Sequence, residues 1–153
     1  MTIDNESVAD ASAGHATVLF AELSAEAISA DAALAAVSNA HAGAVVTFCG
    51  VVRDHDGGKS VDRLAYSAHP SAQAALETIV DELGASHGTA AVWVSHRVGD
   101  LAIGDAALVC AVATAHRREA FELCSAIVER VKAEVPIWKE QFFTDGTVEW
   151  VGI

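Results

Sequence analysis

Lys132 and Lys139 bracket the segment Lys132-Ala133-Glu134-Val135-Pro136-Ile137-Trp138-Lys139, and the chain holds only one other lysine, Lys59. Lys132 falls on the last turn of an amphipathic helical pattern. Pro136 stops that helix, because proline has no amide donor and biases the residue before it toward extended backbone. Ile137-Trp138-Lys139 then opens a strand. Two ammonium groups, one from a helix end and one from a strand start, can therefore face one pocket. That arrangement suits an anionic substrate, or a lysine whose pKa is pushed down by burial and a like charge. A lysine of the second kind also suits Schiff-base chemistry on a carbonyl substrate, and the pattern alone leaves both readings open. The macrodipole by itself favours a lysine near a helix C-terminus, so the pairing around the corner carries the functional reading, not either residue alone.

The elements that must position this corner belong to a chain of 153 residues, 52% hydrophobic, with a formal charge of -12. The length suffices for one domain with a proper core. No apolar run approaches the roughly 20 residues of a membrane span. The negative charge argues against nucleic-acid and anionic-membrane partners. It also makes any cluster of Arg, Lys and His stand out. Residues 1–14 contain Asp4, Glu6 and Asp10 and no basic residue. They read as a flexible acidic leader, neither a secretory signal nor a transit peptide, ahead of a single domain over 15–153. Cys49, Cys110 and Cys124 each lie in an apolar pattern without CxxC spacing, which predicts buried free thiols in a reducing cytoplasm. The seven histidines show no HxH or HxxxH pair, and no metal site is expected.

Taken in order, residues 15–22 read as a strand and Ser24 as the N-cap of a helix reaching Asn39. Ala44–Val52 is a β-branched run, Asp54–Ser60 a polar loop, and Val61–Ser67 a strand that would close a long-looped hairpin with it. Pro70 opens a second helix over 70–87 with Ala72, Ala75, Leu76, Ile79 and Leu83 on one stripe. Thr89–Val98 and Ala106–Thr114 are strands, joined by a turn-rich connection over 99–105. The third helix spans 117–134, with Ala120, Phe121, Cys124, Ile127, Val128 and Val131 on one face and Lys132 at its edge. Ile137–Phe143 and Thr147–Val151 flank Asp145-Gly146, a strong hairpin signal. Strand pairs between helices predict an α+β fold with largely antiparallel sheets. His55 and His69 read as surface residues, and Trp93, Trp138 and Trp150 as core or interface packing. Walker A, GxGxxG and GxSxG motifs are absent from the sequence.

The segments FCGVVRDHDGGKSV, SHRVGDLAIGD, AHRREAF and VKAEVPIWKE, in that order, resemble the large, catalytic subunit of molybdopterin synthase over about residues 16–151. The resemblance implies an α/β hammerhead fold with additional antiparallel strands. It implies a central homodimer with a small ubiquitin-like sulfur-carrier subunit at each end, giving a heterotetramer. The carrier's Gly-Gly thiocarboxylate would deliver sulfur to cyclic pyranopterin monophosphate, two transfers building the molybdopterin dithiolene. No cofactor and no metal are implied. By motif match, Lys132 and Lys139 are the catalytic lysines. Val51, Val52 and Arg53 match the substrate-contacting strand end. His116 and Arg117 match a pair reaching the neighbouring subunit's substrate, and Glu140 and Gln141 continue along the pocket wall. The chain departs from the family at Tyr66-Ser67-Ala68-His69, where Tyr-Glu-Ala-Tyr is commoner. A non-catalytic paralogue that only binds a ubiquitin-like partner is the alternative; intact Lys132 and Lys139 argue against it.

Overall fold

A computed structural model describes residues 16–153; the acidic leader expected over 1–14 and the strand residue His15 lie outside them. The described chain runs β1 (Thr17–Ser24), α1 (Ala30–Val37), β2 (Ala44–Val51), β3 (His55–Asp56), β4 (Lys59–Ala68), α2 (Ala72–Ser86), β5 (Ala90–Arg97), β6 (Gly99–Ala102), β7 (Ala106–Thr114), α3 (Arg117–Glu134), β8 (Ile137–Phe143) and β9 (Val148–Gly152).

Two sheets result. The first has the order β1-β5-β7-β2, with β1 parallel to β5 and the other pairs antiparallel. β7 reads as a continuous apolar run because both its faces are covered. Leu108, Cys110 and Val112 pack toward α2 and α3, while Val109, Ala111 and Ala113 pack toward α1. The second sheet has the order β3-β4-β8-β9, with β6 also on β4, and is antiparallel throughout. Its Ile137, Tyr66 and Ala68 join the core under α2 and α3. A smaller cluster of Val52, Leu64, Leu101 and Ala107 seals the junction between the sheets. The α+β expectation with antiparallel-dominated sheets is met.

Several local expectations are corrected. Val61–Ser67 does not form a hairpin with Ala44–Val52: β2 pairs with β7, and β4 with β8. The two strands belong to different layers, and the loop between them closes only the short β3–β4 hairpin. The first helix starts at Ala30 under an N-cap by Ser29, whose hydroxyl accepts from the Ala32 amide at 3.2 Å. Ser24 instead ends β1 and closes a local turn, accepting from the Glu26 amide and donating to the Glu26 carbonyl. Pro70 precedes the second helix, which begins after Ser71. Gly99–Ala102, expected as a turn, is a strand held by Arg63–Tyr66. On α3 the buried face includes Leu123, while Phe121 is 60% exposed. At about 100° per residue Phe121 lies some 20° from Lys132, beyond the edge of the buried arc. Cys49 is exposed, unlike Cys110 and Cys124. Trp93 stacks on Phe20, whereas Trp138 and Trp150 are largely exposed. His55 and His69 are exposed, as read.

Candidate active site

The helix–strand corner forms as its sequence dictates. The Val135 amide still donates to the Val131 carbonyl, and the His69 amide then takes the Pro136 carbonyl, tying the corner to the start of α2. Lys132 stands on the last turn of α3, where the helix carbonyls favour its charge. Lys139 sits two residues into β8, opposite Tyr66 of β4 and Val151 of β9.

Both lysines line one cavity of about 180 Å³ at the junction of the two sheets. The first sheet contributes Gly50 and Val51 from the end of β2, His96 from β5, and Ala107 and Leu108 from β7. The second contributes Tyr66, Lys139, Gly152 and Ile153. Two ammonium groups and no acidic side chain line it, on a chain of net charge -12. An anion entering this cavity meets positive potential in a partly desolvated setting, where charge interactions are stronger than in water.

The remaining expected residues are placed differently from one another. Val51 lines the cavity, but Val52 is 4% exposed and packs into the junction core. Arg53 lies outside the cavity walls on the loop after β2, with its guanidinium 3.4 Å from Asp56. Gln141 is buried and donates to the other Asp56 oxygen at 2.7 Å. That hydrogen bond holds the Asp56 carboxyl below the usual carboxylate range; the charges of Lys139 and Arg53 act the same way, against partial desolvation. Asp56 thus links Arg53, Gln141 and the neighbourhood of Lys139. Glu140 falls on the opposite face of β8 from Lys139 and Gln141, because strand side chains alternate, and it does not line the cavity. His116 and Arg117 are exposed at the start of α3. Along the helix, Arg117 and Lys132 are about 22 Å apart. One chain therefore does not bring Arg117 to the cavity that holds its own Lys132.

Three participants escape a reading of motifs. Tyr66 and His96 meet edge to face, with ring centroids 4.8 Å apart, and bridge the two sheets over the cavity. Burial pushes the Tyr66 phenol up. Burial pulls His96 down to about 4, with the Lys132 charge adding to it and the hydrogen bond to Arg97 opposing it. Asp56 is the third. For His96 a signal exists in the alternation of β5: Ala90, Val92, Val94 and His96 share its buried face. Among the described residues no three His, Cys, Asp or Glu side chains come together as a metal-binding group.

The family described as MoaE protein matches residues 23–134, so its match ends between the two lysines. A molybdopterin synthase catalytic subunit 1 of Mycobacterium tuberculosis is 42% identical over 136 residues, covering 87% of this chain and 90% of its own length. The molybdopterin synthase catalytic subunit of Bacillus subtilis is 41% identical over 117 residues, covering 76% of this chain and 74% of its own length. Among solved structures, molybdopterin synthase from Staphylococcus aureus superposes with a TM-score of 0.80 at 34% identity, covering 87% of this chain and 97% of that one. That superposition matches the hammerhead architecture with added antiparallel strands expected from the sequence.

Proposed function

This chain belongs to the MoaE protein family, and from that premise we infer that it works as the catalytic subunit of molybdopterin synthase. Its substrate is cyclic pyranopterin monophosphate, and its sulfur donor is the thiocarboxylated tail of a small ubiquitin-like carrier subunit. The observation that carries this reading is the single cavity into which α3 and β8 deliver Lys132 and Lys139 with no acidic side chain among its walls. Two anions, a thiocarboxylate and a phosphate, must meet in one place on a protein of charge -12. A cavity walled by two cations is the location where that encounter costs least.

The roles follow from chemistry. Lys132 stabilises the oxyanion that develops as the thiocarboxylate sulfur reaches the pterin side chain. Lys139 moves a proton as the cyclic phosphate opens. The roles of the two lysines are interchangeable on present geometry. Arg53 offers the planar fork that suits phosphate, and a phosphate group arriving there competes with Asp56 for it. His116 and Arg117, too far along α3 to serve their own chain's cavity, serve that of a second copy in a two-fold dimer. The site then lies near the dimer axis, with a carrier subunit at each end of the assembly. The enzyme works in the cytoplasm, where free thiols persist. No helix among the described residues is long and apolar enough to cross a membrane.

The test is reconstitution. The purified chain, a thiocarboxylated carrier and cyclic pyranopterin monophosphate are mixed, and the pterin is analysed by mass spectrometry. Gain of two sulfur atoms by the pterin, with return of the carrier as a carboxylate, is expected. A pterin that gains no sulfur, with the carrier's thiocarboxylate intact, overturns the reading.

A further inference from the structure

His96 is a buried titratable group with no part in the chemistry described so far. It is 3% exposed, yet its ring reaches the wall of the lysine cavity. Its Nδ1 lies 2.7 Å from the Arg97 carbonyl oxygen. A carbonyl only accepts, so Nδ1 carries the proton and donates. A neutral imidazole in that tautomer has a bare lone pair on Nε2. No hydrogen bond to Nε2 is found among the described residues, and Nε2 is not one of their buried unpaired polar atoms, so it opens on the cavity. The groups around the ring narrow what it awaits. Tyr66 meets it edge to face. Lys132 and Lys139 share the cavity with it, and Lys132 supplies the one ionic influence on the ring. Of the side chains that share the cavity with the ring, Tyr66, Lys132 and Lys139 carry donors, and Lys132 is the charged one whose field reaches it.

We propose that His96 is a positioning residue of the sulfur-transfer site: its Nε2 accepts a hydrogen bond from the Lys132 ammonium and fixes that charge toward the reacting atoms without neutralising it. The inference rests on the functional reading above. A carboxylate at this position would orient the lysine more strongly, but it would cancel the positive potential that an anionic substrate requires. A neutral acceptor orients and leaves the charge in place. Burial keeps the ring neutral at pH 7, so that it accepts instead of repelling its neighbour.

Two substitutions separate the ring's two nitrogens. His96→Asn keeps a donor at the Arg97 carbonyl and loses the reach of Nε2. His96→Gln keeps an acceptor near the Nε2 position and gives up the short-range donor. In the complete enzyme with its carrier, His96→Asn should lower kcat about tenfold or more and leave KM for the pterin within about twofold. His96→Gln should stay within about threefold of wild type on both. The opposite order, equal losses or no loss in either variant would each overturn the proposal. A second measurement needs no variant of His96. Nitrogen NMR at neutral pH should show His96 protonated on Nδ1, with an Nε2 resonance that moves on Lys132→Met; a proton on Nε2, or a resonance indifferent to that change, overturns it as well. If wild-type enzyme transfers no sulfur, the functional reading fails; if it does and His96→Asn matches it, this inference alone fails.

Discussion

Residues carry the chemistry here through their surroundings. Lys132 is exposed at the edge of the buried arc of α3, so truncating it removes little core packing. Lys132→Ala should nearly abolish product and change unfolding free energy by less than ~1 kcal/mol; single-turnover assays beside urea denaturation read both. Near-normal turnover would reject Lys132. His96 makes a prediction of the other kind. Its folded-state value is lowered from 6.5 to about 4, so between those values the unfolded chain binds a proton that the folded chain refuses. The stability this group contributes is full above pH 6.5 and is lost as pH falls toward 4, by up to about 3 kcal/mol. Urea midpoints across that interval should decline in the wild type and stay flatter in His96→Phe. Equal slopes in the two proteins would show that His96 titrates normally.

Elements decide which side chains cooperate. The β3–β4 hairpin is joined to β8 by the β4 ladder, and Asp56 of β3 adds a side-chain tie that holds a buried amide and an exposed guanidinium. The exposed pair with Arg53 adds little, because solvent screens it. The bond from Gln141 matters more, because Gln141 is 2% exposed and Asp56 is the partner that satisfies its amide. Asp56→Ala should therefore lower the unfolding midpoint, and Asp56→Asn, which still offers an acceptor, should lower it less. Thermal or urea denaturation of the pair decides it; identical losses would point to charge, not to the hydrogen bond. Along β8 itself, alternation predicts a contrast. Glu140→Ala should leave kcat within about twofold of wild type, since its side chain faces away from Lys139, while Lys139→Ala should reduce it strongly. A severe Glu140→Ala defect in steady-state kinetics would mean that the outer face of β8 belongs to the site.

At the scale of the molecule, the length of α3 is decisive. It holds Arg117 and Lys132 at opposite ends, about 22 Å apart, so a site that uses both must draw them from two chains. Lys132→Ala and Arg117→Ala chains, each inactive alone, are refolded together. In a mixed dimer one site collects both defects and the other collects none. Random pairing makes about half the dimers mixed, with half their sites whole, so about a quarter of wild-type activity should return. A mixture as inactive as its parents, with subunit exchange confirmed by mass, sinks the shared site.

What the chain determined by itself was local. The bounds of α3, Arg117–Glu134, follow from one apolar stripe and one proline. The β8–β9 turn follows from Asp145-Gly146, with Gly146 at φ 87, a conformation glycine adopts without a Cβ clash. The lysine corner needs only the same two signals, because helix stop and strand start are written in neighbouring residues. The tertiary structure decided everything that depends on distant partners. Strand β2 looked able to pair with β4, yet it lies at the edge of the other sheet, beside β7. Ser24 and Ser29 are equally good caps in isolation, and β1's pairing with β5 out to Arg97 claimed Ser24 for the sheet. His96 and Asp56 look like an ordinary strand end and an ordinary loop. Their meaning came from distant partners: the packing of the two sheets sets Tyr66 against His96, α3 brings Lys132 near it, and the order of the second sheet brings Gln141 to Asp56.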